Sequence, residues 1–176
     1  MWMPNGPQRT ASQSLCAQEE NAACAFHLHE DNHRAISVKR EINDAAGALR
    51  GSLIERASVH GQFIGQIRRA AAGKLRHGKE DAAELKPVRR NPVLWEIVWK
   101  IKKQGEYRLY HSEQSSEPLL VGLRFHRKDT SGFDADTIKN LQNAEMDEAG
   151  TRYTQGMPTL WGHEAGCTTC IKADSL

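Results

Sequence analysis

Residues 91–128 read NPVLWEIVWKIKKQGEYRLYHSEQSSEPLLVGLRFHRK, and their alternation decides the fold. Val93, Trp95, Ile97, Trp99 and Ile101 alternate with Leu94, Glu96, Val98 and Lys100, the period of a strand with one buried face. Tyr107, Leu109 and His111 alternate with Glu106, Arg108 and Tyr110. Leu119, Val121, Leu123 and Phe125 alternate with Leu120, Gly122, Arg124 and His126. This predicts three consecutive antiparallel strands, joined by a hairpin at Lys103-Gln104-Gly105 and a polar connection over 112–118. Trp95, Ile97, Trp99, Tyr107 and Leu109 share one face only if the hairpin loop is odd. A three-residue loop with Gly105 left-handed meets that need. In this register Lys100 faces Arg108 and Val98 faces Tyr110. The second sheet face then gathers Lys100, Lys102, Arg108, Tyr110, Arg124 and His126. Like charges so placed repel, and a polyanion that neutralises them is the natural occupant.

Helices are expected on either side. Ile42, Ala46, Leu49, Leu53 and Ala57 recur at three- and four-residue spacing and predict a helix over 39–58, with Gly47 and Gly51 as weak points. Val59-His60-Gly61 reads as a hinge. Phe63, Ile64, Ile67 and Ala71 then form the inner face of a second helix over 61–74, completing a helical hairpin that packs on the sheet. Residues 73–91 are charged and read as a connector, with one helical turn over 81–85 stopped by Pro87. After a turn at 128–132, a third helix is predicted over 134–153, capped by Asp134 or Asp136.

The chain has 176 residues and a net charge of +2 from 24 basic and 22 acidic side chains, so any affinity for nucleic acid must come from local clustering. No apolar run approaches the ~20 residues of a membrane helix. The start, MWMPNGPQRTASQS, lacks the basic and apolar regions of a secretion signal. Residues 1–34 read as a flexible leader, with a short helix over 22–28, 35–155 as the folded domain and 156–176 as a tail. Cys16, Cys24, Cys167 and Cys170 fall only in the leader and tail, which reads as a reduced, cytoplasmic protein without structural disulfides. His163, Cys167 and Cys170 have the spacing H-x3-C-x2-C, half of a zinc site. A fourth ligand would come from Cys16, Cys24, a distant histidine or a second chain. The reading adopted is a loose tail with two free thiols, no metal and no cofactor. His27, Glu30, Asp31 and His33 are likewise read as solvated.

The segments Leu94-Trp95-Glu96-Ile97, Tyr107-Arg108-Leu109-Tyr110-His111, Leu119 to Phe125 and the basic turn His126-Arg127-Lys128 resemble the RelE/HigB-type toxins of bacterial toxin–antitoxin systems, including phage-derived HigB-like proteins. Glu84-Leu85-Lys86-Pro87 is similar to that family's lead-in to its central hairpin, and the resemblance covers residues 36–153. It implies an α+β fold with a short antiparallel sheet, a helical hairpin before it and a C-terminal helix. It also implies ribosome-dependent cleavage of messenger RNA, with mRNA, the ribosome and a cognate antitoxin as partners and no membrane. Metal-independent cleavage needs a base for the 2′-hydroxyl, positive charge on the phosphate and an acid for the 5′-oxygen. Arg108 corresponds to the family's catalytic arginine; Arg124 is a second phosphate donor, His126 the acid or base, and Lys100 and Lys128 add charge. Lys86, Arg89, Arg90 and Lys102 would hold RNA backbone. The family's C-terminal catalytic tyrosine has no counterpart in this chain. The alternative is a non-catalytic binding module of the same fold, a gyrase-type inhibitor or a nucleic-acid- or protein-binding protein.

Overall fold

The computed structural model describes residues 9–21, 25–78, 82–114 and 118–173. In chain order its elements are β1 (Ala25–Leu28), β2 (Glu30–Asp31), β3 (Ile36–Ser37), α1 (Val38–Gly47), α2 (Leu53–Ala71), β4 (Leu85–Pro87), β5 (Leu94–Ile101), β6 (Gly105–Gln114), β7 (Leu119–Lys128), α3 (Ala135–Gly156) and β8 (Ile171–Lys172). The fold is α+β. A six-stranded sheet runs in the order β4-β5-β6-β7-β1-β8, and β2 and β3 make a separate two-stranded ribbon.

The three central strands form where the alternation placed them. The sheet, however, is mixed and not antiparallel, because β1 pairs parallel to β7, with Phe26 beside Leu120 and Leu28 beside Gly122. The segment expected as leader and short helix therefore contributes a strand to the sheet's interior. Phe26 and Leu28 alternate with His27 and His29, a strand period, and both apolar side chains are buried. Gly122 makes room for them: a Cβ there would lie 3.1 Å from both Phe26 and Leu28.

The hairpin register also differs from expectation. Ile101 pairs with Gly105, so the loop is Lys102-Lys103-Gln104, and Val98 opposes Arg108 while Lys100 opposes Glu106. The shift is two residues, so every side chain keeps its face. It replaces the expected Lys100–Arg108 repulsion with an opposite-charge pair. Gly105 does adopt a left-handed φ, of 105°.

One sheet face carries Trp95, Ile97, Trp99, Tyr107, Leu109 and Phe125 against Ile42, Ala46, Phe63 and Ile67 of α1 and α2. Phe63 meets the rings of Trp99, Tyr107 and Phe125 at 5.8, 5.1 and 5.1 Å between centroids. The helical hairpin breaks at the expected weak points and not at the expected hinge: α1 ends at Gly47, and Gly51 takes a left-handed φ of 120°. Ser52 and Glu55 form a capping box that starts α2 at Leu53, so Val59-His60-Gly61 lies inside the helix. The second face is not open. Leu94, Tyr110, Val121 and Leu123 pack against Ala149 of α3 and Trp161 beyond it. Asp134 caps α3, accepting from the Thr137 amide at 2.8 Å. Beyond β7's pairing with β1, Glu41 of α1 takes over the strand's edge, accepting from the Phe125 amide at 2.8 Å. Of the helical turn predicted over 81–85, residue 81 lies outside the described residues, and Leu85 instead begins β4.

Candidate functional site

On the second face, the strand register puts Arg108 directly opposite His126 and Tyr110 opposite Arg124. Arg108 donates to Glu96 at 3.0 Å and to Glu106 at 2.6 and 3.0 Å. Lys128 lies 3.9 Å from Glu106. The rings of Tyr110 and His126 stack at 5.5 Å between centroids. His126 Nδ1 lies 3.1 Å from the Arg127 carbonyl, which can only accept. The proton of the neutral ring therefore sits on Nδ1, and Nε2 presents its lone pair. His126 Nε2 and Tyr110 Oη are buried without hydrogen-bond partners.

Burial dominates the acid–base behaviour of this cluster. It pulls the His126 imidazole below its ordinary value, against the opposing pull of Glu145. It pushes the Tyr110 phenol up to about 12, with Glu96 adding to the shift. It raises Glu96 despite Arg108 and Lys86. For Glu106 the order reverses: burial would raise its carboxyl, but the Arg108 hydrogen bond and charge outweigh it and hold it low. A neutral imidazole, a guanidinium and a carboxyl with raised affinity for protons thus share one partly enclosed patch.

The second face is charge-balanced, not basic. Arg108 and Lys128 are offset by Glu96 and Glu106. Arg124 is held by Glu41 at 2.5 Å and Glu145 at 2.6 Å. Arg152, buried, is held by Glu41 and Glu148, each at 2.7 Å, and donates to the Leu123 carbonyl. Of the other predicted site residues, Lys100 of the catalytic set and Lys102 and Arg89 of the RNA-binding set are exposed, Lys86 is half-buried opposite Glu96, and Arg90 forks onto Asp147 at 2.7 and 2.8 Å. The structure therefore brings Arg108, His126 and Lys128 together. It assigns Arg124 to a network joining α1, β7 and α3, and it leaves Lys102 and Arg89 at the periphery. Two clefts lie elsewhere, one of about 690 Å³ between α2 and β5 and one of about 630 Å³ beside α3.

Two further polar groupings lie outside this cluster, and of these the sequence showed only the His163, Cys167 and Cys170 spacing, without the residue that completes it. Cys16 Sγ lies 3.3 Å from His111 Nε2, with Glu113 Oε1 3.6 Å from the same nitrogen. Ser14 and the Leu15 amide also donate to Glu113. A nucleophile–histidine–acid relay needs the acid on the other ring nitrogen. His111 Nδ1 is instead buried without a partner, and Cys16 is fully buried, so this group fastens residues 14–16 to β6. The second grouping joins His27 of β1 to His163, Cys167 and Cys170, whose donor atoms all lie within 4.8 Å of one another. The tail expected to be loose is thus packed: β8 pairs with β1, and Trp161 is 2% exposed. Cys24, a candidate fourth ligand, lies outside the described residues. Reading Phe26-His27-Leu28-His29 as a strand would have placed both histidines on one face.

Comparison of the chain with family models, curated proteins and solved structures finds no match. Among the described residues, no helix is long and apolar enough to cross a membrane.

Proposed function

We propose that this protein is a RelE/HigB-like toxin, an endoribonuclease that cleaves mRNA on the ribosome without a catalytic metal and is silenced by a cognate antitoxin. The observation that carries the reading is the direct cross-strand pairing of Arg108 with His126, whose Nε2 lone pair has no partner. The order of helical hairpin, three antiparallel strands and C-terminal helix is consistent with it. Neutral His126 takes the 2′-hydroxyl proton through Nε2. The 2′-oxygen attacks the adjacent phosphorus, Arg108 turns its fork from Glu106 to the phosphate oxygens, and the 5′-oxygen leaves with a proton. Glu96, whose carboxyl binds protons more readily than usual, stands beside Arg108 as the donor. Lys100 and Lys102 flank this patch at the end of the hairpin and would meet the RNA backbone.

This chemistry leaves a 2′,3′-cyclic phosphate and a 5′-hydroxyl. Mapping the ends of mRNA cut on programmed ribosomes is the test. Ends of that kind are expected, and 3′-hydroxyl with 5′-phosphate ends would sink the mechanism.

The charge balance of the face favours a second reading, a binding module of the same fold. Arg108 already has two carboxylate partners, so the cluster serves that protein as a structural clasp. It would bind its partner with no cleavage of RNA.

A further inference from the structure

We infer that His27, His163, Cys167 and Cys170 form a tetrahedral zinc site that ties the end of the chain to strand β1. The two thiolates and two imidazoles are the donor set of a closed structural zinc centre. The spacing is also right. Zinc–sulfur bonds of about 2.3 Å and zinc–nitrogen bonds of about 2.0 Å at tetrahedral angles separate sulfur from nitrogen by about 3.5 Å. Cys170 Sγ lies 3.3 Å from His163 Nδ1 and 3.5 Å from His27 Nδ1, and Cys167 Sγ lies 3.7 Å from His27 Nδ1.

Thiol–imidazole hydrogen bonds alone do not account for this convergence. His27 Nε2 lies 3.0 Å from the Trp161 carbonyl, so Nε2 carries the proton and Nδ1 offers a single lone pair. Two sulfurs crowd that one lone pair. A cation at the centre satisfies all four donors at once, and the Trp161 carbonyl is the outer partner that fixes a ligating histidine's tautomer.

The chain is bent to make this arrangement. Leu160 and Trp161 adopt left-handed φ values of 49° and 56°, followed by Gly162 at 80°. Left-handed backbone is sterically unfavourable for a residue that carries a Cβ. The bend buries Trp161, whose indole donates to the Tyr153 carbonyl at 3.0 Å and whose own carbonyl faces His27. It leaves His163 with its ring centroid 5.1 Å from that of His27. Cys170 is 143 residues along the chain from His27, so the ion would close nearly the whole domain into one loop. This assignment is independent of the proposed RNA chemistry.

The test is metal analysis of the full chain, purified reduced and without chelator, with cobalt substitution as a second readout. About one zinc per chain is expected. Cobalt should give thiolate-to-metal charge transfer and the intense visible bands of a tetrahedral ion. Cys170→Ser and His163→Ala should lose the metal, while Cys16→Ala should keep it. Folded wild-type protein that takes up neither zinc nor cobalt would overturn the assignment, as would a Cys167–Cys170 disulfide in thiol-protected protein. Loss of metal in Cys16→Ala with retention in Cys170→Ser would also overturn it. Should a variant fail to fold, the wild-type stoichiometry and cobalt spectrum still decide.

Discussion

Arg108 sits between two carboxylates and opposite an imidazole with a free lone pair. Each partner makes a separate demand on experiment. Glu106→Gln removes the carboxylate that competes with phosphate for the guanidinium, so affinity for short RNA should rise, read by titration at fixed salt; unchanged affinity would mean that Arg108 does not meet the backbone. Burial holds His126 neutral below its ordinary value. If Nε2 is the base, cleavage falls only when pH drops below about 6.5 and through that lowered folded value. His126→Asn should abolish that acid limb together with at least about 100-fold of the rate. An acid limb kept in the variant would assign the base elsewhere. The alternation in the sequence placed Arg108, Tyr110, Arg124 and His126 on one face. It did not show that Glu41 and Glu145 would claim Arg124, because both lie on helices whose docking no local pattern specifies.

Among the elements, β5, β6, β7 and α3 were legible because their periods are long, but a bulge at Leu123 breaks the alternation of β7 and puts Leu119, Val121 and Leu123 on the face opposite Phe125. β1 was not legible. Four residues flanked by a polar stretch give little periodicity, and the partner that stabilises the strand is β7, more than 90 residues downstream. The α1–α2 boundary falls at Gly47 and Gly51, the weak points named from the sequence, and one capping box starts α2 just after them. Ser52→Ala should therefore destabilise the protein by about 0.5–2 kcal/mol, measured by denaturant melts, whereas Gly61→Ala, with open space around it, should be neutral or stabilising. The connector from α2 to β4 is held by Glu84, which accepts from Arg69 at 2.9 and 2.8 Å and from Arg76 at 3.0 Å. Burial would raise its carboxyl, but these hydrogen bonds dominate and draw it down to about 2. A folded value below the unfolded one near 4.5 means the stabilisation is complete above pH 4.5. It is lost as pH falls from there through about 2. Glu84→Gln should flatten that part of the stability–pH curve and cost about 1.5–3 kcal/mol at neutral pH. A curve of unchanged slope would show that the pairing carries no weight.

Across the whole molecule, both sheet faces are covered, the start of the described chain is fastened to β5 and β6, and its end to β1. The leader enters through Cys16, His111 and Glu113, and the tail returns through Trp161 and β8. Gly156 abuts Trp161 so closely that a Cβ would overlap the indole ring. Gly156→Ala should thus displace Trp161 and lower stability by about 1–3 kcal/mol, seen as loss of the buried tryptophan's fluorescence signature. This closure was hidden from the sequence because it joins His27 to a Cys-x2-Cys at the far end, and no local spacing records a contact of that range. The measurement that bears most directly on the central claim is mRNA cleavage on programmed ribosomes by three proteins: wild type, Arg108→Ala, and the double variant Arg108→Gln with Glu96→Gln. The double variant removes the buried Glu96 carboxylate that Arg108 neutralises and leaves Glu106 with Lys128. Cleavage by the wild type and none by either variant is expected, with both variants folded by circular dichroism. Cleavage by a folded double variant, or none by folded wild type, would contradict that claim.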